Sequence, residues 1–410
     1  MKHVILPLAL AALLIAGTQS LLAAEPGLRI RSVVHFEDFQ NREPMLLELG
    51  NGDLLVSGFP RYPHEPARAP SLWRSSDAGE HWSRVDVGTP AAGAIGNSDV
   101  DLARGPEGTL YFATMGFNRS TGKGTHISVG VSDDNSKRWR WTLLTDRELA
   151  DRPWVAAAPD GRAHIVWNND TGVHHAFSAD AGKSWQQSDS VLAIGGSSHM
   201  AVGPRGEIAV RATPIYASGN AFNADTDLIV VSTDSGSTWI QHKAPGNREW
   251  KPYGTGGLPR WVEPVAWDPN GDLYSLWSEG RSIHLGRSSD RGVSWESWTI
   301  AIDTDSVFFP YLTSTGPGEL AATWFAAADG MSVRVAAISL TDDAPDTQLS
   351  EPLAFDAWAE IDGEWRRDTA GEYVPVVRLA DGDLAVVTPL QNTRENRLGF
   401  SFWRLTSDPQ

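Results

Sequence analysis

One eight-residue pattern, Ser-x-Asp-x-Gly-x-x-Trp, constrains this chain more than any other feature. It occurs in full at 75–82, 178–185, 232–239 and 288–295, and at 132–139 with Ser136 in place of the glycine. Such a run reads as a β-hairpin. The aspartate accepts backbone N–H groups within the turn, the glycine takes the left-handed position, and the tryptophan folds back onto the sheet. A second pattern precedes it: an apolar run, a tight turn, then an alternating strand. Its turn glycines are Gly52, Gly108, Gly161, Gly206, Gly271, Gly318 and Gly382. Seven units of this length, each with about four short strands, cannot bury their faces singly. Stacked in a closed ring they can, so the pattern predicts an all-β fold, a seven-bladed β-propeller. Residues 25–410 are expected to form that one domain.

Composition narrows the function classes. The 410 residues include no cysteine, which excludes a disulfide framework, a thiolate metal site and a cysteine nucleophile. The formal net charge of −17 repels phosphate, so neither a nucleic acid nor an anionic membrane is an expected partner. No cofactor and no metal centre is expected either, because His174, His175 and His199 stand in no ligand spacing with acids.

Lys2, an apolar run from Val4 to Ala16 and the small pair Ala23-Ala24 before Glu25 read as a secretory signal peptide, residues 1–24. The mature protein is then expected in the periplasm or outside the cell.

The repeated hairpin resembles the Asp-box, or BNR repeat, of the sialidase superfamily, and the resemblance spans nearly the whole mature chain. The family's blades number six, which stands as the alternative to seven. Asn41-Arg42-Glu43-Pro44 is similar to the arginine-containing segment that opens the active sialidase pattern, and Arg61 to the arginine that follows it. The resemblance further implies a catalytic acid a few residues after Arg61, where Glu65 or His64 could stand in, with Glu263 as the base and Tyr373 as the nucleophile. Arg281 lies nearest to where a second anion-binding arginine belongs. A sugar with a carboxylate at its anomeric carbon needs several arginines and a neutral nucleophile, which is why such a family uses tyrosine.

A positional argument is independent of the family. Counting back 7 to 10 residues from each turn glycine reaches the rim where the innermost strands begin. That rim holds Arg42, Glu43, Asp99, Asp151, Arg152, His199, Glu263, Tyr311 and Tyr373, converging from distant parts of the sequence. Convergent polar groups in a concave place are the default binding site. The loop 247–261, rich in glycine and aromatics, adds Arg260. The candidate substrate-binding residues are therefore Arg42, Arg61, Asp99, Arg152, His199, Arg260, Arg281 and Tyr311, beside the catalytic candidates Tyr373, Glu263 and Glu65. Three functions remain open: a secreted exo-glycosidase of sialidase type acting on a carbohydrate or glycoconjugate, a non-catalytic propeller that binds glycan or protein, and a propeller polysaccharide lyase.

Overall fold

A computed structural model describes residues 27–407, apart from 39–40, 60–68, 189, 194–196, 214–226, 247–262, 328–330, 341–343, 362 and 370. The N-terminal segment read as an export signal, together with Arg61, Glu65 and Arg260, lies outside the described residues. Seven separate sheets make up a seven-bladed β-propeller, as the repeat count predicts and against the six-bladed alternative. The innermost strands of blades 1 to 7 are Arg42–Glu48, Val100–Arg104, Asp151–Ala157, Ser197–Val202, Val265–Trp267, Val307–Gly316 and Val376–Arg378. Each contacts the next around the ring, and blade 7 contacts blade 1. The only helix among the described residues is a single 3-10 turn, Pro90–Ala92. No helix there is long and apolar enough to cross a membrane.

Strands follow chain order outward from the axis in blades 1 to 6. Blade 7 departs from this, because both chain ends build it. Its outermost strand is Leu28–Glu37, paired antiparallel with Arg397–Ser407 from Leu28↔Ser407 to Glu37↔Gly399. Alternation within each strand sends apolar side chains to both sheet faces, so the core lies in the seams between blades. Tyr111, Ile127 and Val129 of blade 2 pack with Ile165 and Trp167 of blade 3, for example.

The repeated hairpins close the third strand of five blades at the face opposite the rim. In blade 3, Ser178 Oγ accepts the Gly182 N–H at 2.8 Å, and Asp180 Oδ1 accepts the Ser184 N–H at 2.9 Å. The same pair of bonds recurs in the other four copies. Side-chain hydrogen bonds from Arg138, Ser184 and Ser294, then the backbone N–H bonds, hold Asp134, Asp180 and Asp290 at a pKa of about 2, and the His81 backbone N–H leads in doing the same for Asp77.

The hairpin glycine also sets the spacing between blades. A Cβ on Gly79 would lie 2.2 Å from Phe402, on Gly182 2.6 Å from Val131, and on Gly236 2.3 Å from His175. Each of those neighbours sits on the third strand of the preceding blade. Blade 2 tolerates Ser136 at this position because its neighbour is Arg74, whose Nη1 donates to Ser136 Oγ at 3.2 Å and to the Asn135 carbonyl at 2.7 Å. Blade 7 has no such hairpin, since its third strand runs out to the chain end. The seam between blades 6 and 7 accordingly holds a cavity of about 500 Å³, lined by Leu28, Glu319, Ile338, Arg378 and Leu405 among others.

Candidate functional site

Three innermost strands begin with the same irregularity. In blades 1, 3 and 6 the pairing to the second strand slips between Arg42 and Met45, between Asp151 and Trp154, and between Phe308 and Tyr311. The residue inside each bulge precedes a proline and has positive φ: Glu43 at 45°, Arg152 at 52° and Phe309 at 51°. Proline removes a ladder donor, and a non-glycine residue before proline disfavours this conformation. Strain of this kind persists where surrounding structure fixes it, and it concentrates at functional sites. Here the bulges place Glu43 and Arg152 at the mouth of the channel.

Arg152 organises what converges there. Its Nη1 donates to the Tyr373 hydroxyl at 2.9 Å and forms a charge-assisted bond to Glu372. The Tyr373 hydroxyl donates in turn to Asp99 Oδ2 at 3.3 Å. Glu43 adjoins the group, close enough to Asp99 for the two carboxyls to repel, with its Oε2 buried and lacking a hydrogen-bond partner. Glu43, Asp99, Arg152 and Tyr373 are all buried, while Glu372 keeps 21% of its side chain exposed and opens the cluster to solvent.

Burial and mutual repulsion set the protonation pattern. Desolvation, then Asp99 and Glu372, push the Glu43 carboxyl well above its ordinary range, against the pull of Arg152. Glu372 is raised by burial, with Arg152 opposing. Burial also lifts the Tyr373 phenol well above its usual value, opposed by Arg152 but reinforced by Asp99, Glu43 and Glu372. Burial alone works against the Arg152 charge, but Glu372, Tyr373, Asp151 and Asp99 hold the guanidinium protonated. The site therefore combines a carboxyl biased toward its protonated form, a phenol that keeps its proton and, in Arg152, a fixed cation.

An aromatic wall lines the channel beside this cluster. The Trp154 ring meets Tyr373 edge-on at 5.2 Å and lies 4.5 Å from His199, which meets Tyr311 at 5.9 Å. His199 Nδ1 accepts the Val265 N–H at 3.3 Å, so its neutral tautomer carries the proton on Nε2. Burial brings its pKa down to about 3. Below it, Asp101 accepts the N–H groups of Val155 and Leu102, yet burial raises it to about 7. Tyr311 is raised by burial and by Asp101.

The structure thus brings together Tyr373, Asp99 and Arg152, with His199 and Tyr311 adjoining. Other expected residues stand elsewhere. Glu263 is fully buried against Arg211, whose Nη2 also binds Asp227 at 2.9 Å and whose Nη1 donates to Ser275 at 2.7 Å. The carboxyls acting on Tyr373 are Asp99, Glu43 and Glu372, whereas Glu263, the expected base, pairs with Arg211. Arg42 binds Asp368 at 3.3 Å, and Arg281 is exposed on the turn after Leu273–Glu279. The expected arginine cluster is therefore reduced to Arg152 among the described residues around Tyr373. Glu372 and Asp101 were not among the expected residues, and Glu43 was counted on the rim without a role. An acid followed by proline at the start of an innermost strand was the available signal for Glu43. Among the described residues, the one group with convergent metal-ligand atoms is Asp77, Glu80 and His81, exposed in an outer hairpin where His81 already bonds Asp77 at 2.7 Å.

No family model matches this chain, and no curated protein matches its sequence. Solved structures do resemble it. The α-L-arabinofuranosidase of Fusarium graminearum, in complex with an iminosugar inhibitor, is 12% identical, with a TM-score of 0.54 over 92% of this chain and 98% of its own. The α-L-arabinanase of Penicillium chrysogenum, complexed with arabinobiose, is 14% identical, with a TM-score of 0.51 over 93% and 98%. The sialidase of Trypanosoma rangeli is 13% identical, with a TM-score of 0.46 over 74% of this chain and 57% of its own. At these identities the likeness is one of fold, shared with propeller glycosidases.

Proposed function

We propose that this protein is a glycoside hydrolase acting on a neutral glycan from the mouth of its propeller channel. The carrying observation is the group of carboxyls, Glu43, Asp99 and Glu372, gathered around the Tyr373 hydroxyl and Arg152, with Asp99 and Arg152 both hydrogen-bonded to that hydroxyl. Glycosidic cleavage needs a carboxyl that still holds its proton, to protonate the leaving oxygen, and a carboxylate facing the developing oxocarbenium carbon. Glu43 has the environment of the first. Asp99 and Glu372 are the carboxyls available for the second, held in place by Tyr373 and Arg152. Among the described residues, four acids, Glu43, Asp99, Asp151 and Glu372, act on the Arg152 guanidinium, and that surplus favours a neutral sugar over a sialic acid. The reading of residues 1–24 as an export signal adds to the proposal that the enzyme works in the periplasm or outside the cell.

A sialidase-type reaction is the second reading. It is favoured by the Tyr373 hydroxyl lying between a cation and a proton acceptor, the surroundings a tyrosine nucleophile requires. The deciding experiment is hydrolysis of aryl glycosides by the purified mature protein. Arabinosides head the neutral panel, because the neighbours of matching extent act on arabinosyl substrates, and an aryl sialoside stands beside them. Release from a neutral glycoside, lost in Glu43→Gln, supports the first reading. Release from the sialoside, lost in Tyr373→Phe, supports the second. No release from any substrate points to a propeller that binds without turnover.

A further inference from the structure

Blade 7 carries a two-stranded hairpin that stands outside the four-strand plan, Ala357–Ile361 and Glu364–Arg367. It joins the blade's second strand in parallel, at Ala357↔Gln391 and Trp358↔Asn392, the end of that strand that lies at the channel mouth. Its base is firmly tied. Asn392 Nδ2 donates to both oxygens of Asp356 at 3.1 Å, Thr393 Oγ1 to the Trp358 carbonyl at 3.1 Å, and Arg367 Nη1 to the Phe355 carbonyl at 3.0 Å. Two links connect it to the candidate site. Asp368, the residue after the hairpin, pairs with Arg42, the residue before Glu43. Five residues beyond Asp368 the chain reaches Tyr373.

The outward part is aromatic and cationic. Cross-strand pairing sets Trp358 opposite Arg367 and Glu360 opposite Trp365, so alternation puts these four on one face. The Arg367 guanidinium covers the Trp358 ring at 4.8 Å, and Trp365 is 38% exposed. A tryptophan left open on a rigidly anchored element, beside a concave polar site, is an anchor for a ligand with a flat apolar face and polar edges. A pyranose or furanose ring has both.

Resting on the glycosidase reading, we infer that this hairpin is an added subsite, which holds sugar units of a longer glycan beyond the one at the Glu43–Asp99 pair. The natural substrate is then an oligosaccharide or polysaccharide, and Trp365 with Arg367 contributes to chain-length preference without taking part in bond cleavage.

The test compares wild type with Trp365→Ala and Arg367→Ala on two substrates sharing one terminal sugar, an aryl monoglycoside and an oligosaccharide. The expected result is a kcat/KM on the oligosaccharide lowered roughly tenfold or more in Trp365→Ala, carried by KM, with the monoglycoside rate unchanged. An equal loss on both substrates, or no loss on either, overturns the subsite. Unaltered thermal unfolding of the variants excludes misfolding as the cause. Should wild type cleave nothing, the glycosidase reading fails, and calorimetric titration with the same oligosaccharides tests the hairpin separately. Binding weakened in Trp365→Ala then supports it, and binding unaffected by the change, or absent in wild type, overturns it.

Discussion

Arg152 reaches across the channel mouth from blade 3 to bond the hydroxyl of Tyr373 in blade 7, at 2.9 Å, from a backbone held at φ 52°. The contact links residues 221 positions apart, and it sets a cation against the acids Asp99, Glu43 and Glu372 around Tyr373. Replacing Arg152 by methionine keeps much of the side-chain volume and removes the charge. Glu372, Asp99 and Glu43 would then face one another without a cation. Breaking a buried ion pair from one side typically costs about 3–5 kcal/mol. Partial exposure of Glu372 puts the expected loss near the lower figure, measurable by urea denaturation of both proteins.

Glu43→Gln replaces a carboxyl that burial and its acidic neighbours bias toward the protonated form with its neutral isostere. Stability is expected to change by less than about 1 kcal/mol, within the range of a swap that leaves the partner hydrogen bonds intact. Turnover of a substrate with a poor leaving group should fall by roughly 10²–10⁴, the contribution of a general acid. An activated nitrophenyl leaving group needs less protonation, so its rate should fall less. The ratio of the two losses, from steady-state kinetics, checks the assignment.

His175 stacks on His164 at 5.3 Å, and burial holds their pKa values at about 3 and about 4. The unfolded chain protonates these rings near 6.5. As pH falls below that value the unfolded state takes up protons first, and stability is lost until the folded-state pKa is reached. Asp101 and Glu43, with raised values, titrate in the opposite direction, so the effect is isolated by a difference. The stability of wild type minus that of His175→Gln should fall by about 1.4 kcal/mol per pH unit between pH 6.5 and pH 4, and stay constant above pH 7. Denaturant titrations at stepped pH read this directly. A flat difference would mean that His175 protonates normally in the fold.

The repeated hairpins offer a packing test. Trp185 is half-buried and meets Tyr111 edge-on at 6.2 Å. Trp185→Ala is expected to cost about 2–3 kcal/mol, below the ~3–5 kcal/mol of a fully enclosed ring. Gly182→Ala should cost at least as much, because its Cβ would lie 2.6 Å from Val131 and its φ is 74°. Thermal unfolding of the two variants against wild type gives the order.

The propeller was legible because its code is local. Five hairpins and seven turn glycines specify their own geometry within eight residues, and the ring follows from repetition. The rim was legible for the same reason, since counting back from each turn reached Asp99, Arg152 and Tyr373. What local pattern could not convey was which partner each charge would choose. Glu263 sits on its rim as counted, but Arg211, on the second strand of the neighbouring blade, takes it out of reach of Tyr373's immediate surroundings. Glu43 was passed over for the arginine beside it. Its turn into the site depends on a bulge whose positive φ has only a following proline as its sequence mark.

The pairing of Leu28–Glu37 with Arg397–Ser407 makes the circle depend on two segments more than 350 residues apart meeting. Leu28–Glu37 has no strand partner in its own blade until Arg397–Ser407 reaches it, so ring closure is a late event in folding. Contacts of such long sequence separation are slow to form, and unpaired edges are exposed to aggregation meanwhile. A chain cut short by a dozen residues at its C-terminus would lose the partner of Leu28–Glu37 and leave blade 6 facing an incomplete neighbour. Completeness of the chain is thereby a condition for the channel mouth itself, because Tyr373 belongs to the blade that the latch completes.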